Sequence, residues 1–174
     1  MEATPDGNLK AKKFIFTTPK TSYYAIDESQ FVGTQGGTIL RGRNNAPGGA
    51  FFYGNPTGIG TGMFAPVNLP HGAKITKVIA HFDDISVNFN LSIKISTHAF
   101  DTGAYTDITT ITTSGSGGYG SIENGSLNHI VDNKIQSYQA MVSVVDLSNV
   151  NAFWQGYFTV IRGISIEYTI QEAN

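Results

Sequence analysis

Leu91 to Thr97 alternates apolar and polar side chains one for one, with Leu91, Ile93 and Ile95 on one parity and Ser92, Lys94 and Ser96 on the other. Successive side chains of a strand point to opposite faces, so such a run folds as a strand with one buried side and is unusable as an amphipathic helix. No window of eleven residues elsewhere carries a 3.6-residue apolar stripe with helix caps, and residues 148–154 make at most one turn. Short β candidates lie at 13–17, 22–26, 37–41, 50–53, 63–67, 74–82, 91–97, 106–113, 119–123, 138–145 and 158–170, separated by Gly, Pro and Asn clusters. In the last of these, Val160, Ile164, Ile166, Tyr168 and Ile170 share a face that Arg162 interrupts. About ten short strands at this spacing predict an all-β protein, an antiparallel β-sandwich of jelly-roll-like kind. Residues 1–12 read as a lead-in segment and 13–174 as a single domain, a length that buries roughly 70% of the unfolded chain's surface.

The stretch Ala65-Pro66-Val67-Asn68-Leu69-Pro70-His71-Gly72-Ala73 is a corner. Each proline fixes its own φ and holds the residue before it extended, and His71-Gly72 supplies the turn into the strand that starts at Lys74. This corner, the turn Asp83-Asp84, the alternating 91–95 strand and the closing Glu167-Tyr168 together resemble a recurrent β-sandwich head domain of secreted and surface proteins of bacteria, especially of the Bacteroidetes kind. The resemblance covers about residues 20–170. It implies a terminal or assembly domain, often following fibre-like repeats, an extracellular or cell-surface location and no catalytic residues.

Composition narrows the function. Charged residues are 14% of the chain, against about 25% in an average soluble protein, and the net charge is -2. The densest basic group is Lys10, Lys12 and Lys13, too little to neutralise a phosphate backbone, so nucleic acid is excluded as a partner. Zero cysteine excludes thiol catalysis, Cys-ligated zinc and disulfides. There is no apolar run of 18 residues and no membrane insertion is expected. The N-terminus MEATPDGNLKAKK lacks the apolar core of a signal peptide, so an exported protein would carry more sequence ahead of Met1.

Few motifs offer chemistry. Asp101-Thr102-Gly103 matches the signature of aspartic proteases, where two such aspartates share a proton across a dimer and activate water; Val160-Ile161-Arg162-Gly163 imitates their later apolar segment, with Arg162 out of place. The competing reading makes it a hairpin turn between 91–97 and 106–113, and that reading is preferred. His71, His81, His98 and His129 stand singly, without zinc spacing, and His71 reads as a solvent-facing turn residue. Asp83 with Asp84, or Asp101 with Asp107, offers oxygen ligands but no regular calcium loop. No metal site and no cofactor are predicted.

Aromatics are the remaining lead. Glycan-binding sandwiches stack sugar rings on exposed aromatics and hold the hydroxyls with neighbouring polar groups. Tyr105, Tyr119, Trp154 and Tyr157 lie beside Gly, Ser, Asn or Gln in loop-like contexts, although Trp154 and Tyr157 are also placed to plug the core under the 146–157 connection.

The leading expectation is a non-enzymatic extracellular structural, adhesion or assembly module. The alternatives are a carbohydrate-binding module using those aromatics and a homodimeric aspartic protease. Sparse charge and unguarded strand edges also predict self-association, as a trimer or filament, through the lead-in strand Lys13 to Thr17, whose Phe14 and Phe16 share a face.

Overall fold

The computed structural model describes the backbone of residues 2–3, 9–10, 14–33, 38–41, 48–53, 62–114, 117–154 and 156–173. In chain order the strands are β1 (Glu2–Ala3), β2 (Leu9–Lys10), β3 (Phe14–Asp27), β4 (Val32–Gly33), β5 (Thr38–Arg41), β6 (Ala50–Tyr53), β7 (Gly62–Pro66), β8 (Lys74–Asp84), β9 (Phe89–Ala99), β10 (Tyr105–Thr112), β11 (Gly118–Asn124), β12 (His129–Ile130), β13 (Gln136–Asp146) and β14 (Thr159–Ala173). Two 3-10 turns, Glu28–Gln30 and Gly156–Phe158, are the only helical pieces among the described residues.

The strands form an antiparallel β-sandwich. One sheet has five strands in the order β10-β9-β13-β7-β4; the other has seven, β11-β8-β14-β6-β5 with β12 also on β8 and β3 also on β14. β1 and β2 pair only with each other, within the segment read as a lead-in. The core lies between the sheets. Leu91, Ile93 and Ile95 of β9, Ala140, Val142 and Val144 of β13, and Val78, Ala80, Ile164 and Ile166 of the facing sheet are all buried. Each of the Leu, Ile and Val side chains contributes about 1.5–3 kcal/mol on leaving water.

Three local features depart from simple alternation, each for a visible reason. The runs 13–17 and 22–26, separate by sequence, belong to the single strand β3. Its pairing with β14 jumps from Lys20 opposite Ile170 to Ile15 opposite Glu172, so Pro19 falls where the ladder is interrupted, on a strand with one partner. Arg162 leaves the apolar face of β14 through a bulge. Ile161 pairs with Phe82 and Gly163 with His81, and the skipped Arg162 places Nη2 3.2 Å from Asp83 Oδ2. Gly163 sits under the neighbouring strand, where a Cβ would stand 2.9 Å from the Ile26 carbonyl oxygen.

Finally, the proline corner carries the chain between sheets, from β7 of the five-stranded sheet to β8 of the other, rather than along one sheet. Gly72 takes φ +80, and the corner is tied down by Gly72 N–H to the Val131 carbonyl (2.8 Å) and Val131 N–H to the Ala73 carbonyl (2.8 Å). A buried polar chain also crosses the core. Leu91 N–H donates to Thr113 Oγ1, whose hydroxyl donates to Asp84 Oδ2, while Ser86 N–H donates to Asp84 Oδ1.

Candidate functional site

Alternation sends the other half of each strand outward, and on the five-stranded sheet those residues form a trough. Strand register aligns Lys94 with Met141 and Thr110, Ser96 with Gln139 and Asp107, and His98 with Ser137 and Tyr105; Met141 and Gln139 in turn face Phe64 and Pro66. Two open depressions lie on this face, each of about 540 Å3, and they share Phe64 and Gln139.

The first depression is lined by Phe64, Pro66, Asn68, His98, Phe100, Asn133, Gln136, Ser137 and Gln139, over the backbone of Val67, Leu69 and Tyr138. Its lining includes four carboxamides and not one Lys, Arg, Asp or Glu. The proline corner builds one wall: Val67 and Leu69 point into the core, so Asn68 between them is forced outward. The opposite wall is the turn 132–135, held by Lys134 N–H on Asp132 Oδ1 (3.0 Å) and latched to the corner by Asn133 Nδ2 on the Leu69 carbonyl (2.9 Å). Asn133 N–H also donates to His71 Nδ1 (3.3 Å), which places His71 on the exposed turn the sequence assigned to it.

Below the floor, Tyr138 is buried and its hydroxyl oxygen accepts from Asp132 N–H (2.8 Å) and Gln136 Nε2 (2.6 Å). His129 Nε2 lies 3.3 Å from the same oxygen, and burial pushes the His129 imidazole below its ordinary range, so it is neutral there. These bonds fix Gln136 by its amide nitrogen, and its carbonyl oxygen has no partner among the described residues. Asn68 and Gln139 keep both ends of their side-chain amides free among the described residues. Exposed Phe100 and Phe64 supply apolar surface beside these amides.

The second depression is lined by Phe64, Lys94, Ser96, Tyr105, Asp107, Gln139 and Met141. Its charges are spent internally: Lys94 Nζ is 2.8 Å from Asp107 Oδ2, and Ser96 Oγ donates to Asp107 Oδ1 at 2.7 Å. Burial alone would raise the Asp107 carboxyl, but the Lys94 and Ser96 hydrogen bonds and the Lys94 charge outweigh it and hold the group below its usual range. At the lip, Tyr105 stacks on His98 with ring centroids 4.5 Å apart and planes 14° apart.

Of the aromatics singled out by sequence, Tyr105 reaches this trough. Tyr105, 61% exposed, forms its edge. Tyr119 is equally open but lies on the outer face of the seven-stranded sheet, over the Arg162 guanidinium at 4.9 Å. Trp154 is not a surface residue: the 147–158 connection folds back, its indole is 2% exposed in the core, and Nε1 donates to the Thr159 carbonyl at 2.9 Å. The Tyr157 side chain lies outside the described residues, as do those of Phe14 and Phe16. Sequence reasoning missed Phe64, Asn68, Phe100, Asn133, Gln136 and Gln139. One available signal was local amide density, with Asn133, Gln136 and Gln139 falling within seven residues.

The other candidates resolve into structural parts. Asp101-Thr102-Gly103 is the exposed hairpin turn between β9 and β10, closed by Gly103 N–H on the Ala99 carbonyl (3.0 Å) with Gly103 at φ +68. Asp83 pairs with Arg162, Asp84 with Thr113 and Ser86, and Asp107 with Lys94 and Ser96. No three His, Asp or Glu side chains converge on a metal-sized point among the described residues, and no helix there is long and apolar enough to cross a membrane.

No protein-family model matches the chain, and no curated protein matches it. Solved structures do resemble it. The CBM22-1–GH10 modules of Clostridium thermocellum xylanase 10B, complexed with xylohexaose, superpose with a TM-score of 0.50 at 10% identity over 86% of this chain and 27% of that one. A GH26-CBM35 β-(1,4)-mannanase of Podospora anserina gives 0.49 at 10% identity over 87% and 28%, and a xylan-binding domain from CBM 22 gives 0.48 at 15% over 87% and 95%. The chain thus spans about a quarter of the length of the xylanase it matches. At 10% identity the likeness to the xylanase modules shows a shared fold alone.

Proposed function

We propose that the domain is a non-enzymatic carbohydrate-binding module whose ligand lies in the trough on the outer face of the five-stranded sheet. The observation that carries this reading is the first depression. Four carboxamides, two of them (Asn68 and Gln139) with both ends unpartnered among the described residues, stand beside Phe64, Phe100 and Pro66 with no Lys, Arg, Asp or Glu in the lining. Sugar hydroxyls need paired donors and acceptors, and the C–H faces of sugar rings need apolar surface; a neutral glycan is the ligand class that uses both. The β-sandwich likeness is compatible with this and ranks it above the assembly and adhesion reading. An extracellular or cell-surface setting, where polysaccharides are met, goes with it.

The test is retention of the purified domain in native gels containing soluble neutral polysaccharides such as xylan, glucomannan and mixed-linkage glucan. Retardation by at least one polymer, lost in Phe100→Ala and Gln136→Ala with folding intact, is expected. Unretarded migration in every polymer, or retardation that both variants preserve, would remove this reading.

A further inference from the structure

The two depressions are equal in volume, both open, and joined rather than walled apart, since Phe64 and Gln139 belong to both linings. Resting on the glycan reading above, we propose that they are consecutive subsites for a single extended chain, so that the domain recognises the interior of a neutral linear polysaccharide rather than a chain end or a free small sugar.

Register shows the path. Asp107 and Tyr105 stand on β10, and Phe64, with Asn68 just beyond the strand end, marks the β7 side, with β9 and β13 between. Three strand spacings separate these margins, about 14 Å, and the two linings are offset along the strands as well. The second depression crosses that whole width, from Phe64 to Asp107, and the first adjoins it toward Asn68 and Phe100, so the joined trough is longer than a disaccharide. Apolar Phe100 and Phe64 and the Tyr105 ring stand among the amides of Gln136 and Gln139 and the Ser96 hydroxyl.

The second depression extends the first without changing the ligand's charge. The Lys94 ammonium and Asp107 carboxylate neutralise each other at 2.8 Å, and the remaining Asp107 oxygen already accepts from Ser96. A uronate there would have to displace Asp107 from Lys94, whereas neutral hydroxyls can use the amides and hydroxyl without disturbing the pair. Tyr105 lines only the second depression and is held by its stack on His98 of the first, so its ring is a preformed platform where the two meet and its ordering cost on binding is low.

The experiment is calorimetric titration of the intact chain with xylo-, cello- and manno-oligosaccharides of two to six units. Affinity for the preferred series should rise at least tenfold between the dimer and the longest members and then level off. Borohydride reduction of the chain end should leave it unchanged, as should added salt. Tyr105→Ala should erase the gain for long chains and leave dimer affinity within twofold, while Tyr105→Phe, which keeps the ring, should retain the gain. Equal affinity for dimer and hexamer, or full long-chain affinity in Tyr105→Ala alongside its loss in Phe100→Ala, overturns the two-subsite inference while sparing the glycan reading. Tighter, salt-sensitive binding to polygalacturonate overturns the neutral-chain assignment. Failure to bind any oligosaccharide or polymer overturns both.

Discussion

On the outer face of the seven-stranded sheet, several charged groups are paired with neighbours. Arg162 pairs with Asp83 beneath Tyr119, Lys77 with Glu123 at 3.4 Å, and Glu167 accepts from both Thr76 Oγ1 (2.9 Å) and the Tyr23 hydroxyl (3.1 Å). That hydrogen bond and the Glu167 charge raise the Tyr23 phenol above its ordinary range. On the outer face of the five-stranded sheet Lys94, Asp107 and Ser96 are spent in this way, and so are the nitrogens of Asn133 and Gln136, but the amides of Asn68 and Gln139 and the oxygen of Gln136 have no partner among the described residues. Both faces come from the same period-two pattern. A face becomes a site when its hydrogen-bonding capacity is left over for a ligand, and that depends on cross-strand neighbours rather than on the polarity of either strand.

The contrast can be broken or sharpened by substitution. The largest effect lies beneath both faces. Ile93 is fully buried at the centre of β9, so Ile93→Asp places an unpaired charge in the core and should abolish the folded state, read as loss of the β dichroism signal and of any cooperative unfolding transition.

Next comes the asymmetry of the faces. Phe100→Ala should weaken polysaccharide binding tenfold or more, about 1.4 kcal/mol. Tyr119→Ala, a comparable truncation of an exposed aromatic on the other face, should leave binding unchanged. Equal losses in the two variants would show that the faces are functionally alike.

The clamp between the sheets should register in stability and its pH dependence. Thr113→Val leaves the Leu91 N–H and the Asp84 carboxylate short of a partner and should cost about 1–3 kcal/mol in denaturant titrations. Burial, opposed by the Thr113 and Ser86 hydrogen bonds, raises the Asp84 carboxyl above its ordinary range. A raised folded value means that this group's contribution is full below the unfolded value and is lost as pH climbs through the folded one. Asp84→Asn should therefore flatten the fall in stability as pH rises above the ordinary carboxylate range of about 4. An unchanged slope would show that Asp84 does not titrate in this range.

Smallest of all, Lys77→Ala removes a solvent-exposed pair on the seven-stranded face and should change stability by less than about 1 kcal/mol, with no effect on binding.

The strands were written plainly in the chain. Leu91, Ile93 and Ile95 had to share a buried face, and the two prolines before Gly72 had to make a corner, because φ restriction and side-chain parity are local properties. The turn at Asp101-Thr102-Gly103 was equally readable from its residue types. The path of Arg162 was not. Alternation placed it in the core, and only the bulge opposite Phe82 and His81, which depends on a partner strand 79 residues away in sequence, turned it outward.

The same division holds for the site. Sequence alone determined that the chain is a β-sandwich with little charge, and it offered neutral polar and aromatic side chains as the material of a candidate binding site, since periodicity and composition require no knowledge of neighbours. Tertiary structure decided which side chains those are. Asn68 comes from the corner, Phe100 from the β9–β10 turn, Gln136 and Gln139 from β13 and Phe64 from β7; they meet because strand order in the five-stranded sheet sets β9, β13 and β7 side by side. Trp154 and Tyr119 carry the same sequence signature as Tyr105 and were separated from it by long-range pairing, which buried one and put the other on the opposite face.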